Sequence, residues 1–249
     1  MQEKRRNLKI AKFTSPRKTI EFDGLQKTTL IDYPGEVACT LFMSGCNFRC
    51  AYCYNPALVK RQPGGFTISE AEIFSFLEER RSFLDGVCIT GGEPLLSFHL
   101  LFPFLKKLKT YGLKVKLDTN GCFPKELRKL IEAQLIDYIA MDIKASPEKY
   151  EGITRTAIKL AEIKASVSLV KNSGLDYEFR TTVHTGLKRE DFDKIGRWLE
   201  GSKQYFLQSI KVDVPLLEEG FAEKAYAVEE IKTFARVVEK YVNQVGIRS

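Results

Sequence analysis

The 249-residue chain has only two histidines, one tryptophan and three methionines, and no cysteine follows Cys122. No stretch approaches the ~18 consecutive apolar residues of a membrane-spanning helix. The most apolar region, 95–105, is interrupted by Ser97, His99 and Pro103. No apolar segment follows the N-terminal charges, so a secretory signal is not expected. Six cysteines in such a chain suggest metal binding or free thiols, not a disulfide framework, and a reducing cytoplasm is the expected setting. Neither a G-x-x-x-x-G-K-[ST] nor a G-x-G-x-x-G string occurs, which disfavours a glycine-rich phosphate cradle. Internal repeats and low-complexity segments are absent too.

What is present is enough apolar material for a sizeable core, 44% of residues. The net charge of +7 is unevenly placed: residues 1–20 carry seven basic side chains against Glu3 alone, leaving +1 for the rest. A nucleic-acid-binding domain spreads its basic residues over a folded face, so no nucleic-acid partner is expected. We read residues 1–20 as a basic extension, solvated or in contact with an acidic partner protein, and 21–249 as a single domain.

Strands and helices alternate through that domain. Strands are expected at Glu36–Met43, Val87–Thr90, Leu113–Asp118, Ile136–Lys144, Tyr177–Val183 and Tyr205–Asp213. Helices are expected near Ser69–Leu84, Ser97–Tyr111, Pro124–Gln134, Thr156–Asn172 and Arg189–Glu200. Ser69 with Glu72 forms a capping-box signature, and Val228, Ile231, Ala235, Val238 and Val242 mark one face of a last helix. Six strands alternating with helices imply an α/β fold around a parallel sheet with right-handed crossovers. The pattern alone leaves open a doubly wound sheet or a curved partial barrel. In either, ligand sites lie at the carboxyl ends of strands, where Cys46, Gly91, Asp118 and Asp142 fall.

Cys46, Cys50 and Cys53 stand on one short loop after the first of these strands. Three thiolates there can hold three irons of a [4Fe–4S] cube and leave the fourth open, whereas electron-transfer clusters use four cysteines. The rival is a zinc-stabilised binding module. A structural zinc site wants four ligands, yet no second Cys-x-x-Cys pair exists and both histidines are distant in sequence. A thioredoxin-like role for Cys50 and Cys53 leaves Cys46 unexplained.

Each remaining motif also has a plain reading. Gly91-Gly92-Glu93-Pro94 is a turn after a strand that lets backbone approach a ligand closely. Asn120-Gly121 is turn chemistry. Asp142 and Lys144, two residues apart on one side of a strand, form a structural ion pair. Cys39 and Cys88 read as small buried hydrophobes, Cys122 as a thiol near the site, and His99 as structural. Arg180 and His184 end up on one side of the fifth strand without an assigned role.

Taken together, CNFRCAYCYNP, ITGGEPLL, LDTNG and MDIKASPEKY, preceded by GLQKTTLIDYPG at 24–35, resemble the radical S-adenosylmethionine (radical SAM) enzymes. Among these the chain is most similar to glycyl-radical-enzyme activating proteins, in particular activators of anaerobic ribonucleoside-triphosphate reductase. The specific motifs lie between residues 24 and 147. The resemblance implies a (β/α)6 partial barrel and one [4Fe–4S] cluster on Cys46, Cys50 and Cys53. It places SAM against Tyr52, Tyr54, Gly91, Gly92, Glu93, Asp142, Ile143 and Lys144, with Asp118 and Thr119 contributing directly or through a cation. Many relatives have histidine where Tyr54 stands. The implied reaction is reductive cleavage of SAM to a 5′-deoxyadenosyl radical that takes hydrogen from a partner's glycine. No side chain need act as acid, base or nucleophile. The partners implied are a glycyl-radical protein and a one-electron donor such as flavodoxin or ferredoxin. A radical SAM enzyme acting on a small molecule, of the 7-carboxy-7-deazaguanine synthase type, shares much of this chemistry. Nothing after Cys122 supplies cysteines for an auxiliary cluster.

Overall fold

The structure, a computed structural model, describes residues 19–60, 65–211, 213–221 and 225–248. Residues 1–18 of the expected basic extension lie outside them, as do residues 61–64. The strands are β1 (Glu21–Phe22), β2 (Gly24–Thr29), β3 (Ala38–Met43), β4 (Ile68–Ser69), β5 (Gly86–Gly91), β6 (Lys114–Thr119), β7 (Tyr138–Asp142), β8 (Asp176–Val183), β9 (Gln204–Ser209) and β10 (Gln244–Arg248). The helices are α1 (Pro56–Val59), α2 (Glu70–Glu79), α3 (Phe98–Lys109), α4 (Pro124–Glu132), α5 (Tyr150–Thr154), α6 (Leu160–Lys171), α7 (Arg189–Trp198) and α8 (Val228–Val238).

One eight-stranded sheet runs β10-β9-β8-β7-β6-β5-β3-β2, parallel throughout except for β2, which is antiparallel to β3. From β3 to β10 the spatial order follows the chain without reversal. Right-handed crossovers that always advance the same way place the crossover helices on one face and curl the sheet around the other. A doubly wound sheet needs a reversal of strand order; none occurs, so the partial-barrel alternative holds. The six expected strands are all present. β2 and β10 add an edge on either side; their short, mixed sequences carry no clear alternation. β1 and β4 pair apart from the main sheet.

Local signals held where side chains act locally. Ser69 Oγ accepts from Glu72 N–H at 3.3 Å while Glu72 Oε2 accepts from Ser69 N–H at 2.8 Å, closing the capping box that starts α2. On α8, Ile231, Ala235 and Val238 are buried, but Val228 in the first turn is 48% exposed because the core does not extend that far. The expected helix at 156–172 begins only at Leu160, after α5 and a left-handed Arg155. His99 is exposed on α3, not structural.

The main core lies between sheet and helices, built from residues such as Leu41, Ile89, Leu117, Ile139, Phe179 and Leu207, each fully buried. The concave face is different. Lys116 Nζ bonds Asp118 Oδ1 at 2.6 Å and approaches Cys88 Sγ at 3.5 Å, and Cys88 Sγ donates to Asp32 O at 3.3 Å. Cys39 and Cys88 are both fully buried as expected, Cys88 with its thiol among polar partners on the inner wall. At the amino ends of the strands the interior is plugged by Tyr33, whose ring lies 5.8 Å from that of Tyr138. Arg248 forks onto the fully buried Glu178 at 2.6 and 2.7 Å. With that end closed, the carboxyl ends of the strands are left as the place for a ligand.

Candidate active site

The cysteine loop leaves β3 and is held from four other parts of the chain. Gly45 N–H donates to Leu58 O at 2.7 Å, and Glu93 N–H to Gly45 O at 2.8 Å. Arg49 N–H reaches Thr154 O at 2.8 Å, and Leu217 N–H reaches Cys53 O at 2.8 Å. Backbone bonds to distant segments leave such a loop few alternative conformations. Cys46, Cys50 and Cys53, all free thiols, line one pocket together with the ends of β5 to β9.

Gly91 and Gly92 line the same pocket, but steric closeness to the protein, not only to a ligand, requires them. A Cβ on Gly91 would sit 2.2 Å from Met43 O, and one on Gly92 2.1 Å from Gly45 O. Gly91 also has φ +123°, a region L side chains rarely adopt. Only glycines let the end of β5 cross against the start of the cysteine loop.

Glu93 is 1% exposed and does not line the pocket. Its carboxylate accepts from Leu95 N–H at 3.1 Å, Asn120 N–H at 2.7 Å and Thr119 Oγ1 at 2.9 Å. Burial pushes its pKa up to about 7 against the pull of those donors. The motif's acid therefore ties the loop after β5 to the turn after β6, and a direct cofactor contact by its carboxylate finds no support in this placement. Ile143 is likewise buried away from the pocket: its N–H donates to Arg180 O at 2.7 Å and its O accepts from Thr181 Oγ1 at 2.6 Å. It holds β7 against β8.

The other expected contacts, Tyr52, Tyr54, Asp118, Thr119, Asp142 and Lys144, come together on the pocket wall. Their charges form a chain. Lys144 Nζ meets Asp142 Oδ2 at 2.9 Å, Arg180 Nε meets Asp142 Oδ1 at 3.0 Å, and Arg180 Nη1 meets Asp118 Oδ2 at 3.2 Å. Burial opposes ionisation of Asp142, yet Lys144 and Arg180 outweigh it and hold the carboxyl at about 2. Asp118 is depressed in the same way by Arg180 and Lys116. Buried charges persist when paired, so Arg180, unassigned from sequence, is the hinge of this network. Its parity with Asp118 and Asp142 on neighbouring parallel strands is the signal, visible only once the register is known. Asn47, Asn120, Thr182 and Gln208 were also missed. His184 stands behind the wall, its ring 4.9 Å from that of Tyr52 and its Nδ1 accepting from Gly186 N–H at 3.1 Å. Cys122 lies beside the site without lining it.

The three thiols suit a cluster. Burial pushes Cys46 up to about 11 and raises Cys50 likewise, so these two become thiolates at neutral pH only with a metal to supply positive charge. Among the described residues no three His, Cys, Asp or Glu side chains are grouped to hold a single ion, whereas thiolates around one zinc stand ~3.8 Å apart. No fourth cysteine and no histidine lines the pocket. Three thiols on the pocket with no fourth cysteine or histidine beside them match the ligand count of a cube with an open corner, one short of a structural zinc site.

Comparison with known proteins agrees. Residues 40–199 match the sequence profile of the Radical SAM superfamily. A Methanocaldococcus jannaschii protein provisionally named a glycyl-radical enzyme activating enzyme is 30% identical over 231 residues, covering 91% of this chain and 95% of its own. The pyruvate formate-lyase-activating enzyme of Listeria monocytogenes is 34% identical over 134 residues; the match spans 50% of this chain and 53% of that one. Among solved structures, QueE from Escherichia coli superposes with a TM-score of 0.55 at 13% identity, covering 92% of this chain and 93% of that one, a likeness of fold alone. The superfamily's cofactors are a [4Fe–4S] cluster and SAM, for which the residues above are suited. The chain belongs to the radical SAM superfamily and, within it, to the glycyl-radical enzyme activating enzymes.

Proposed function

We propose that the protein generates a glycyl radical on anaerobic ribonucleoside-triphosphate reductase, drawing electrons singly from flavodoxin or ferredoxin in the cytoplasm. The observation that carries the activating chemistry is the convergence of Cys46, Cys50 and Cys53 with the Asp142–Lys144 pair on one pocket wall. When bound, the cluster and SAM together supply one-electron cleavage of the sulfonium and a 5′-deoxyadenosyl radical that abstracts hydrogen from the partner's glycine.

The chain's residues bind, orient and shield. Cys46, Cys50 and Cys53 hold the cluster. The backbone at Gly91 and Gly92 faces the methionyl amino group, and Lys144, fixed by Asp142, meets the methionyl carboxylate. Tyr52 and Tyr54 pack beside the cofactor and exclude water, and Asp118 and Thr119 stand farther along the wall. Glu93 and Ile143 serve indirectly, by fixing the turns on which these groups ride. The choice of reductase as partner rests on the likeness of GLQKTTLIDYPG to activators of that enzyme.

The test is anaerobic reconstitution with iron and sulfide, then reduction with SAM and the reductase of the same organism. A glycine-centred radical in the electron-spin spectrum of the reductase is the expected result. Cys50→Ala should lose iron and SAM cleavage together; full cleavage by that variant overturns the mechanism, and no radical on the reductase overturns the partner.

A further inference from the structure

Three carboxylates face the guanidinium of Arg180. Asp142 Oδ1 meets its Nε at 3.0 Å and Asp118 Oδ2 meets its Nη1 at 3.2 Å. Glu178, two residues back on β8, stands with Oε1 at 3.8 Å from the same Nη1. Glu178 is fully buried, so without a cation of its own it would compete for Arg180. It has one in Arg248 on β10, which forks onto it at 2.6 and 2.7 Å, while the Tyr138 hydroxyl donates to Oε2 at 3.0 Å. The edge strand is shaped for that reach. The Arg248 guanidinium carbon lies 3.7 Å from the centre of the Phe206 ring, which supports it face-on. A Cβ on Gly246 would stand 2.5 Å from Phe206 Cε1, so glycine there makes room for the ring.

Asp142 divides its oxygens, Oδ1 to Arg180 and Oδ2 to Lys144. With Arg180 drawn back toward Glu178, the freed Oδ1 would turn onto Lys144, and that ammonium would be spent within the protein. A buried carboxylate left without a counter-charge is costly enough to force such a shift. We propose that Arg248 is a positioning residue for the cofactor: by taking up Glu178 it leaves Arg180 to Asp142 and Asp118, and so keeps Lys144 aimed at the methionyl carboxylate. Arg248 does not itself line the pocket and acts only through β8. The assignment rests on the reading above in which Lys144 meets that carboxylate.

The experiment uses the reconstituted enzyme, with SAM binding read by equilibrium dialysis and SAM cleavage by methionine release under dithionite. Arg248→Ala should raise the SAM Kd and KM about tenfold, with kcat within about twofold of wild type. Adding Glu178→Gln to that variant removes the charge that draws Arg180 away and keeps an acceptor for Tyr138. The SAM Kd of the double variant should return to within about threefold of wild type. An Arg248 that served only to hold β10 in place would leave the double variant no better than the single one. Iron content and far-ultraviolet dichroism establish that each variant is folded; where Arg248→Ala does not fold, the affinity of the double variant decides alone. An unchanged Kd in Arg248→Ala overturns the assignment, as does a loss of SAM affinity that persists in the double variant. If the wild-type protein binds SAM but releases no methionine, the activating reading falls, and the Kd comparison still decides the role of Arg248.

Discussion

The Asn120 carboxamide donates to Asn47 Oδ1 at 2.8 Å, and this bond joins the turn after β6 to the residue that follows Cys46. Asn120 is held in turn by Glu93, which accepts its N–H, and by Cys122, whose N–H its Oδ1 accepts at 3.0 Å. The cysteine loop is thereby registered against the wall that carries Asp118 and Thr119.

Removing that link leaves a donor without a partner in a partly buried place. Asn47→Ala is expected to destabilise the metal-free protein by about 1–2 kcal/mol, read by urea unfolding. It should also speed iron loss from the reconstituted protein under a chelator. Identical unfolding midpoints and identical iron loss would remove Asn47 from the brace.

Glu93 offers a sharper contrast. If its carboxylate serves the three donors it meets, Glu93→Ala will destabilise the metal-free protein by about 2–4 kcal/mol, because Leu95 N–H, Asn120 N–H and the Thr119 hydroxyl lose their acceptor together. A carboxylate whose business was cofactor contact would leave that protein's stability unchanged and alter only SAM affinity. Denaturant unfolding without SAM distinguishes the two.

Gly91→Ala should be among the most damaging single substitutions. The added methyl meets Met43 backbone, which cannot swing aside, at a φ that already disfavours it. A loss above about 3 kcal/mol is expected. Gly112→Ala is the control: φ is +76° but nothing lies within 4 Å, so the cost should be about 1–2 kcal/mol. Equal thermal shifts for the two would show that the crossing of β5 and the cysteine loop is loose.

The ion chain makes a pH prediction. Asp142 sits at about 2 in the folded protein against 3.8 ordinarily, with burial outweighed by Lys144 and Arg180. Its folded pKa is depressed, so its contribution is complete above pH ~4 and is lost as pH falls toward 2. The stability difference between wild type and Asp142→Asn should therefore be largest near neutrality and shrink between pH ~4 and ~2. A difference that stays constant through that window would mean Asp142 is not ionised in the fold.

Much of the fold was legible because it is written in local periodicity. β3 and β5 are short apolar runs between turn residues, Ser69 and Glu72 start α2, and Ile231, Ala235 and Val238 mark a single face of α8. β2 and β10 escaped because an edge strand is stabilised by its neighbour's backbone more than by its own side chains. Cys88 reads as a small apolar residue from its type and its place in an apolar strand, while its Lys116 and Asp32 partners come from distant parts of the chain.

The sequence by itself determined the chemistry: three cysteines at fixed spacing, the alternation that makes a parallel sheet, and the strand ends at which reactive residues gather. Those are local facts, since ligand type and periodicity are set within a few residues. Only the tertiary structure decided that the Glu93 carboxylate meets Leu95, Thr119 and Asn120, that Arg180 joins Asp118 to Asp142, and that Thr182 and Gln208 line the pocket. The reason is physical: such roles depend on which strands become neighbours and in what register, and that is fixed by burying the whole core at once.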